Sequence, residues 1–246
     1  MKIGLFIPCY VNEFYPNVAI ATIELLEKFN YIVEYPLDQT CCGQPLANSG
    51  LEDKANSCYN NFVNLFSEYD YIVCPSGSCT YHVKHHYDVI DQTPSVVQVR
   101  NKIYDLVDFI TEFCDISRFS GEFEQQIGIH LSCHALRGLK QAKSAEFSSD
   151  QKGKIYNLLQ NIKNIKISQL NRSDECCGFG GAFSFYESDV SSNMGCDRLA
   201  DHIKNNTQVL TSGDMSCLMH MEGLVRRKNM PIEVMHIAQI LNKVFI

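Results

Sequence analysis

Residues 3–9 read Ile-Gly-Leu-Phe-Ile-Pro-Cys, and residues 127–133 repeat this pattern as Ile-Gly-Ile-His-Leu-Ser-Cys. Each is a short apolar run of β-prone residues that ends on a cysteine, which predicts a buried strand. Two further matches follow in the same order, Cys-Cys-Gly at 41–43 and 176–178 and Ser-Cys at 78–79 and 216–217. A set of matches in one order indicates an internal repeat.

The spacings within the two repeats are similar. In the first repeat 31 residues lie between Cys9 and Cys41 and 36 between Cys42 and Cys79, and the corresponding numbers in the second repeat are 42 and 39. Insertions in surface loops account for such differences at small cost. We therefore place the boundary in the polar stretch 117–126 and divide the chain into a lobe of residues 1–120 and a lobe of residues 121–246.

The segments between the cysteines alternate between helical and strand patterns. Residues 18–29 have apolar side chains at helical spacing, and residues 31–35 and 71–74 are β-prone. The spacing also predicts helices over 103–114 and 235–241. This alternation predicts an α/β fold with two pseudo-repeated, intimately packed lobes and mainly parallel sheets. Such folds bind ligands at the carboxyl ends of strands, where the cysteines fall.

Composition narrows the choice of compartment and partner. The 246 residues are 45% hydrophobic and 20% charged, with a formal net charge of -7, which disfavours nucleic acid or an anionic membrane surface as the main partner. No stretch approaches the roughly 20 apolar residues of a spanning helix, and residues 1–10 are too short for a signal-peptide core. We expect a cytoplasmic protein without a membrane span.

Twelve cysteines in a reducing compartment indicate metal binding or catalysis rather than disulfides. The candidate ligands are the eight that fall on the repeat: Cys9, Cys41, Cys42, Cys79, Cys133, Cys176, Cys177 and Cys217. Four thiolates in each half suit a 4Fe–4S cluster, and they also suit structural zinc. Adjacent cysteines on a turn favour a cluster, because its separate irons need separate ligands. The following glycine permits a positive φ beside the cluster.

The other cysteines and two histidines are weighed separately. Cys58, Cys74, Cys114 and Cys196 break the repeat, and we interpret all of them except Cys74 as core or surface thiols. Cys74 lies five residues before Cys79 and is a possible ligand, although its repeat counterpart is Ser212.

Two Cys-x-x-His sequences place a histidine three residues after the last cysteine of each repeat. His82 and His220 are therefore possible ligands, since histidine can replace cysteine on iron. A polar surface or capping role is the alternative for each. We interpret His82, His85 and His86, at helical spacing, as a solvated polar face, and residues 140–154 as a polar surface segment.

The motifs resemble a known family along the whole chain. The stretches concerned are Cys-Cys-Gly-Gln-Pro at 41–45, Pro-Ser-Gly-Ser-Cys at 75–79, Cys-Cys-Gly-Phe-Gly-Gly at 176–181 and Met-His-Ile-Ala at 235–238. They resemble the lactate-utilisation A family, whose cysteine-rich CCG domains also occur in heterodisulfide reductase B subunits and the glycolate oxidase iron–sulfur subunit. The resemblance implies an iron–sulfur oxidoreductase subunit of a three-protein system that oxidises L-lactate, a small 2-hydroxy acid, to pyruvate.

One departure affects the expected cofactor. The fuller family pattern ends in Cys-x-x-Cys, whereas histidine stands at the last position here. We therefore expect a four-cysteine cluster rather than the five-thiolate cluster of the heterodisulfide reductase relatives. A zinc-stabilised interaction protein and a thiol/disulfide redox subunit are the alternatives. A disulfide between adjacent cysteines is strained and lacks the Cys-x-x-Cys geometry, which disfavours the last. No catalytic residue is assigned.

Overall fold

A computed structural model describes residues 1–143 and 152–246. Within them lie two parallel four-stranded sheets, which confirms the α/β prediction. The first sheet contains β1 (Lys2–Leu5), β2 (Ile32–Glu34), β3 (Tyr71–Cys74) and β4 (Ile103–Asp105), in the order β2-β1-β3-β4. The second contains β5 (Gln126–Ile129), β6 (Lys166–Ile167), β7 (Val209–Ser212) and β8 (Glu233–His236), in the order β6-β5-β7-β8.

Helices connect the strands. Those before the second sheet are α1 (Cys9–Phe14), α2 (Pro16–Lys28), α3 (Gln44–Asn48), α4 (Glu52–Phe66), α5 (Gly77–His86), α6 (Pro94–Lys102) and α7 (Leu106–Phe113). The later ones are α8 (Lys154–Leu159), α9 (Phe183–Tyr186), α10 (Ser188–Lys204), α11 (Met215–Lys228) and α12 (Ile237–Val244). A π-helical turn, His134–Gly138, follows Cys133. Two 3-10 turns occupy Tyr87–Val89 and Ile116–Arg118.

The two sheets repeat the same backbone pattern. The N–H of Phe6 donates to the carbonyl of Val73 over 2.9 Å, and the N–H of His130 donates to the carbonyl of Thr211 over 2.7 Å. Phe6 and His130 each lie one residue past the first strand of a sheet, and the strand pairings before them match. They are therefore equivalent positions.

Two of the helices predicted from spacing begin later than expected. Residues 103–105 and 233–236 are the strands β4 and β8, and the helices α7 and α12 start after them. Asp105 caps α7 by accepting from the N–H of Val107 over 2.9 Å, and His236 caps α12 by accepting from that of Ala238 over 3.2 Å. The backbone groups of β4 and β8 pair with β3 and β7. This tertiary pairing overrides the helical spacing of the side chains.

The two sheets share one hydrophobic core. A continuous cluster of buried side chains includes Ile3 and Leu5 of the first sheet and Ile127 and Leu210 of the second. Helix α12, which follows the second sheet, packs against α2, which belongs to the first. The lobes are thus intimately packed, and their division after residue 120 stays a prediction.

Two further sequence expectations concern surfaces. No helix within residues 1–143 and 152–246 is long and apolar enough to cross a membrane. Of the predicted surface segment 140–154, residues 144–151 lie outside the described residues. At its described start Gln141 is buried instead of exposed, because its side-chain amide donates to the carboxylate of Asp105 over 2.7 Å.

Candidate metal centres

The repeat cysteines fall into two groups at the carboxyl ends of the two sheets. The first cysteine set is Cys9, Cys41, Cys42 and Cys79, and the second cysteine set is Cys133, Cys176, Cys177 and Cys217. In each set the first cysteine follows β1 or β5, and the last lies in the first turn of α5 or α11, which follow β3 and β7. Because parallel strands end at one edge of a sheet, these segments meet there.

In the first cysteine set the sulfurs form a continuous series of contacts. The thiol of Cys41 hydrogen-bonds with Cys42 and with Cys9. Cys42 in turn hydrogen-bonds with Cys79. The structure therefore brings all four predicted sulfurs of this half together.

The second cysteine set repeats the same series. Cys176 hydrogen-bonds with Cys133 and with Cys177, and Cys177 hydrogen-bonds with Cys217. The adjacent pair thus occupies the middle of the series in both halves. That these eight residues bind a metal stays a prediction.

The glycine after each pair has the conformation that the sequence predicts. The φ of Gly43 is 87° and that of Gly178 is 86°, a region that residues with a Cβ rarely adopt. A methyl group would lie 2.5 Å from a ring carbon of Tyr59 at the first position and 2.6 Å from the carbonyl oxygen of Ser191 at the second. Each glycine N–H donates to the first sulfur of its pair, over 3.4 Å and 3.3 Å.

The first sulfur of each pair favours the thiolate form. Hydrogen bonds from Cys42 and Cys9 lower the pKa of Cys41 to about 3. Hydrogen bonds from its neighbours, Cys133 foremost, lower the pKa of Cys176 to about 2. Hydrogen bonds from Cys42 and Cys74 likewise lower the pKa of Cys79 to about 5. The remaining thiols of each set hold the protons. Because metal binding requires deprotonated ligands, a metal would take the place of those protons.

Cys74 adjoins the first cysteine set. Its buried thiol hydrogen-bonds with Cys79 and donates to the carbonyl oxygen of Ser76 over 3.7 Å. Strand pairing places Cys74 opposite Asp105 and Ser212 opposite His236. Ser212 is therefore the counterpart of Cys74, as the sequence predicts. The first half has a fifth sulfur at the position where the second half has the Ser212 hydroxyl.

The other three cysteines outside the repeat have different surroundings. Cys58 packs against the core of the first half, and Cys196 packs against the core that both sheets share. Cys114 lies beside the hydroxyl of Tyr31, and burial raises the pKa of its thiol to about 11. These positions agree with their interpretation as core or surface thiols.

The interpretation of three histidines as a solvated face is wrong for His82. Its side chain is 2% exposed, and its Nε2 lies 3.2 Å from the hydroxyl of Tyr59. Burial lowers the pKa of His82 to about 4. Only His85 and His86 of this group are exposed, since α5 turns His82 toward α4.

His220 is half-buried, and its Nε2 lies 3.2 Å from the carbonyl oxygen of Ser191. A carbonyl oxygen only accepts, so Nε2 carries the proton and Nδ1 keeps its lone pair. A metal-binding imidazole is commonly oriented by such a second hydrogen bond. His82 and His220 stay candidate ligands.

A buried carboxylate joins α5 to α11. Asp214 caps α11 by accepting from the N–H of Ser216 over 3.2 Å and from its hydroxyl over 2.7 Å. Its other oxygen accepts from the N–H of Ser78 over 2.7 Å. One side chain therefore fixes the first turns of both helices, and with them the last cysteine of each set.

The structure adds two residues that the sequence prediction omitted. A ring nitrogen of His130 lies within 4.8 Å of the sulfurs of Cys177 and Cys217. Arg198 is fully buried and donates from Nε to Nδ1 of His130 over 3.3 Å. The only sequence signal was a histidine at the place of Phe6 in the apolar run. Arg198 comes 68 residues later and has no such signal.

The family follows from comparison with known proteins. The family model described as a cysteine-rich domain, CCG, matches residues 3–84 and 127–222, which contain both cysteine sets. Lactate utilization protein A of Bacillus licheniformis is 36% identical over 246 residues, covering 98% of this chain and 99% of that protein. The chain belongs to the lactate utilization protein A family. This confirms the resemblance predicted from the motifs.

Other members of the lactate utilization protein A family agree. The Geobacillus sp. protein is 34% identical over 249 residues, covering 98% of this chain and 99% of the relative. The Macrococcus caseolyticus protein is 33% identical over 246 residues, covering 98% of this chain and 96% of the relative. A solved structure of a glutamate racemase from Bacillus anthracis matches with a TM-score of 0.40 and 9% sequence identity. The match covers 98% of this chain and 79% of the racemase chain. A likeness that weak carries no argument.

Proposed function

We propose that the chain is the iron–sulfur electron-transfer subunit of a multi-protein system that oxidises L-lactate, or another small 2-hydroxy acid, to the 2-oxo acid. The observation that carries the proposal is the gathering of eight cysteines into two equivalent sets of four. Lactate enters through the name of the relatives, lactate utilization protein A.

The residues present fit a cluster. Four sulfurs in each set equal the ligand number of a 4Fe–4S cluster, which supplies single-electron transfer when bound. The sulfurs of Cys41 and Cys42, adjacent in the chain, are ligands for separate irons. The N–H groups of Gly43 and Gly178 already donate to ligand sulfurs, a kind of contact that tunes the metal site. Cys74, His82 and His220 are possible further ligands.

The rest of the reaction needs partners. The chain contributes sulfur ligands, and other subunits of the lactate-oxidising complex contribute the site that takes the hydride. The proposed compartment is the cytoplasm, where thiols stay reduced. Beside the second cysteine set, Arg137 is exposed, four residues after Cys133. A carboxylate substrate or an acidic partner surface would bind such a guanidinium.

A zinc-stabilised interaction protein is the second candidate. It is favoured by the compact group of His130, Cys177 and Cys217, whose ligand atoms all lie within 4.8 Å of one another. A single tetrahedral zinc ion with Zn–S bonds of about 2.3 Å requires ligands this close. Metal content distinguishes the two candidates.

The decisive experiment is purification without oxygen, followed by reconstitution with iron and sulfide. We expect brown protein with about eight irons per chain for two 4Fe–4S clusters, and visible absorption that fades on reduction. Colourless protein that keeps stoichiometric zinc would contradict the proposal. The loaded chain should reduce an artificial acceptor with lactate only when its partner subunits are added, and turnover by the isolated chain would contradict the subunit role.

A further inference from the structure

His130 and Phe6 occupy equivalent backbone positions in surroundings of opposite polarity. The ring of Phe6 packs edge-on against Phe62 and Phe66, with ring centroids 4.8 Å and 5.9 Å away. His130 is equally buried, with 1% of its surface exposed, and it faces the second cysteine set. A polar ring thus replaces an apolar one beside only one of the two sets.

Arg198 determines which nitrogen of His130 carries a proton. A guanidinium can only donate hydrogen bonds, so Nδ1 of His130, which receives the Arg198 Nε–H, must keep its lone pair. An imidazole whose Nδ1 keeps its lone pair is neutral, with a proton only on its other nitrogen. The single proton of the neutral ring is therefore on Nε2.

Arg198 is held on every side and cannot turn away from His130. Its terminal nitrogens donate to the carbonyl oxygens of Ile129 and Ser173 over 3.4 Å and 3.2 Å and to the carbonyl oxygen of Arg172. Asp201 balances its charge at 3.5 Å. Arg198 is a positioning residue, because it fixes the orientation and the tautomer of the histidine.

The Nε2–H of His130 is buried and has no hydrogen-bond partner among the described residues, sulfur included. A buried donor without a partner is destabilising, so a bound group that accepts from it would stabilise this site. The sulfurs of Cys177 and Cys217 lie within 4.8 Å of a ring nitrogen of His130, so a cluster bound there would lie beside the ring.

We propose that His130, oriented by Arg198, is a hydrogen-bond donor to a cluster bound by the second cysteine set, and not a metal ligand. The inference rests on the proposed function where it concerns a cluster. A nitrogen that carries a proton has no lone pair for iron. Reduction adds negative charge to a cluster, and an N–H donor stabilises that charge. The second cluster therefore has the higher reduction potential and is where electrons collect.

The test compares His130→Phe, which installs the residue of the first half, with His130→Gln, which keeps both a donor and an acceptor. His202→Gln is the matched control, because His202 is also buried with an unpartnered Nε2 but contacts Thr207 instead. Potentials of the reconstituted protein are measured by redox titration followed by electron paramagnetic resonance. We expect His130→Phe to lower one of two potentials by about 59 mV, a tenfold change for one electron. His130→Gln and the control should retain both potentials.

Three results would overturn the inference. In the first, His130→Phe keeps both reduction potentials of the wild type. In the second, His130→Gln lowers the same potential as far as His130→Phe does, which would make packing the cause. The third is strong nitrogen hyperfine coupling in the reconstituted wild-type protein that is lost in His130→Phe, which would make His130 a ligand.

A chain that binds no iron would refute the proposed function, and the histidine is then tested without metal. Nitrogen-15 NMR of the metal-free wild-type chain reports the tautomer, with the His130 signal assigned by its loss in His130→Phe. We expect the proton on Nε2. A proton on Nδ1 would overturn the inference whether or not iron binds.

Discussion

The two cysteine sets share one backbone frame and differ in what surrounds the sulfurs. Beside the first set lie the ring of Phe6 and the thiol of Cys74, and the equivalent positions beside the second are His130 and Ser212. The frame repeats because both sheets have the same strand order. Duplication therefore preserves the geometry of the ligands, while a few equivalent side chains give each set its own electrostatics.

The end of the last strand shows the same contrast. Asp105 and His236 are equivalent caps, and both are about 1% exposed. Burial raises the pKa of Asp105 well above its usual value and lowers that of His236 to about 4. Burial therefore favours the neutral form of both caps. For Asp105 this is the protonated carboxyl group, and for His236 it is the unprotonated imidazole. This difference, like that between the sets, can be tested by substitution.

The largest expected effect comes from removing one thiolate of one set. Serine at Cys41 or at Cys176 replaces a soft ligand with a hard, neutral hydroxyl. We expect each variant to lose about half of the bound iron, since each set holds its own four-ligand cluster. Iron and sulfide assays on anaerobically reconstituted protein measure the loss.

Cys58→Ser and Cys196→Ser are the controls, because both thiols are half-buried and lie outside the sets. They should retain all of the iron. Complete loss of iron from Cys41→Ser or Cys176→Ser would show that the sets are not independent. If the controls lost as much iron as these variants, the cause would be disturbed folding rather than a missing ligand.

The next effect separates the two turn glycines. Alanine at Gly178 would place its methyl 2.6 Å from a backbone oxygen of α10, whereas at Gly43 the nearest atom belongs to the side chain of Tyr59. We expect Gly178→Ala to lower the free energy of unfolding by on the order of 3 kcal/mol and Gly43→Ala by less, because a ring shifts more easily than a helix backbone. Urea unfolding measures both.

Gly50→Ala is the matched control for backbone strain. Gly50 has a φ of 73°, and a methyl group there would have no atom within 4 Å. Its cost, on the order of 1 kcal/mol, measures the positive φ alone. If all three alanine variants unfolded at the same urea concentration, the close contacts of Gly43 and Gly178 would not matter for stability.

The smallest expected effect is on the pH dependence of stability. The cap of the second half and the cap of the first half contribute to it with opposite signs. The unfolded chain protonates His236 near pH 6.5 but the folded chain only near pH 4, so stability falls as the pH falls through this range. From pH 7 to pH 5 this loss is on the order of 2 kcal/mol. Asp105 has a raised pKa, so its contribution is lost as the pH rises above the unfolded value of 3.8.

Asparagine preserves the cap at either position and removes the titration. His236→Asn should reduce the loss of stability between pH 7 and pH 5, and Asp105→Asn should increase stability at pH 7 relative to pH 5. His86→Asn, at an exposed histidine, should leave the wild-type difference unchanged. Shifts of the same sign in the two cap variants would refute the contrast between Asp105 and His236.

The sequence by itself determined the duplication, the parallel α/β class and the eight candidate sulfurs. These features are local or repeated: a strand is a short apolar run, and the pair at 41–42 recurs at 176–177 with its glycine. The positive φ of that glycine follows from its place in a tight turn between a sulfur pair and a helix. Patterns of this kind can be recognised without knowing what packs against them.

Only the tertiary structure decided what surrounds the sulfurs. It turned His82 into the core against Tyr59, made residues 103–105 a strand by pairing them with β3, and joined Arg198 to His130 across 68 residues of sequence. Asp214 likewise reaches from one half of the chain to the other. The physical reason is that burial and hydrogen bonding between distant segments depend on how the sheets and helices pack, and the spacing of residues along the chain does not record that packing.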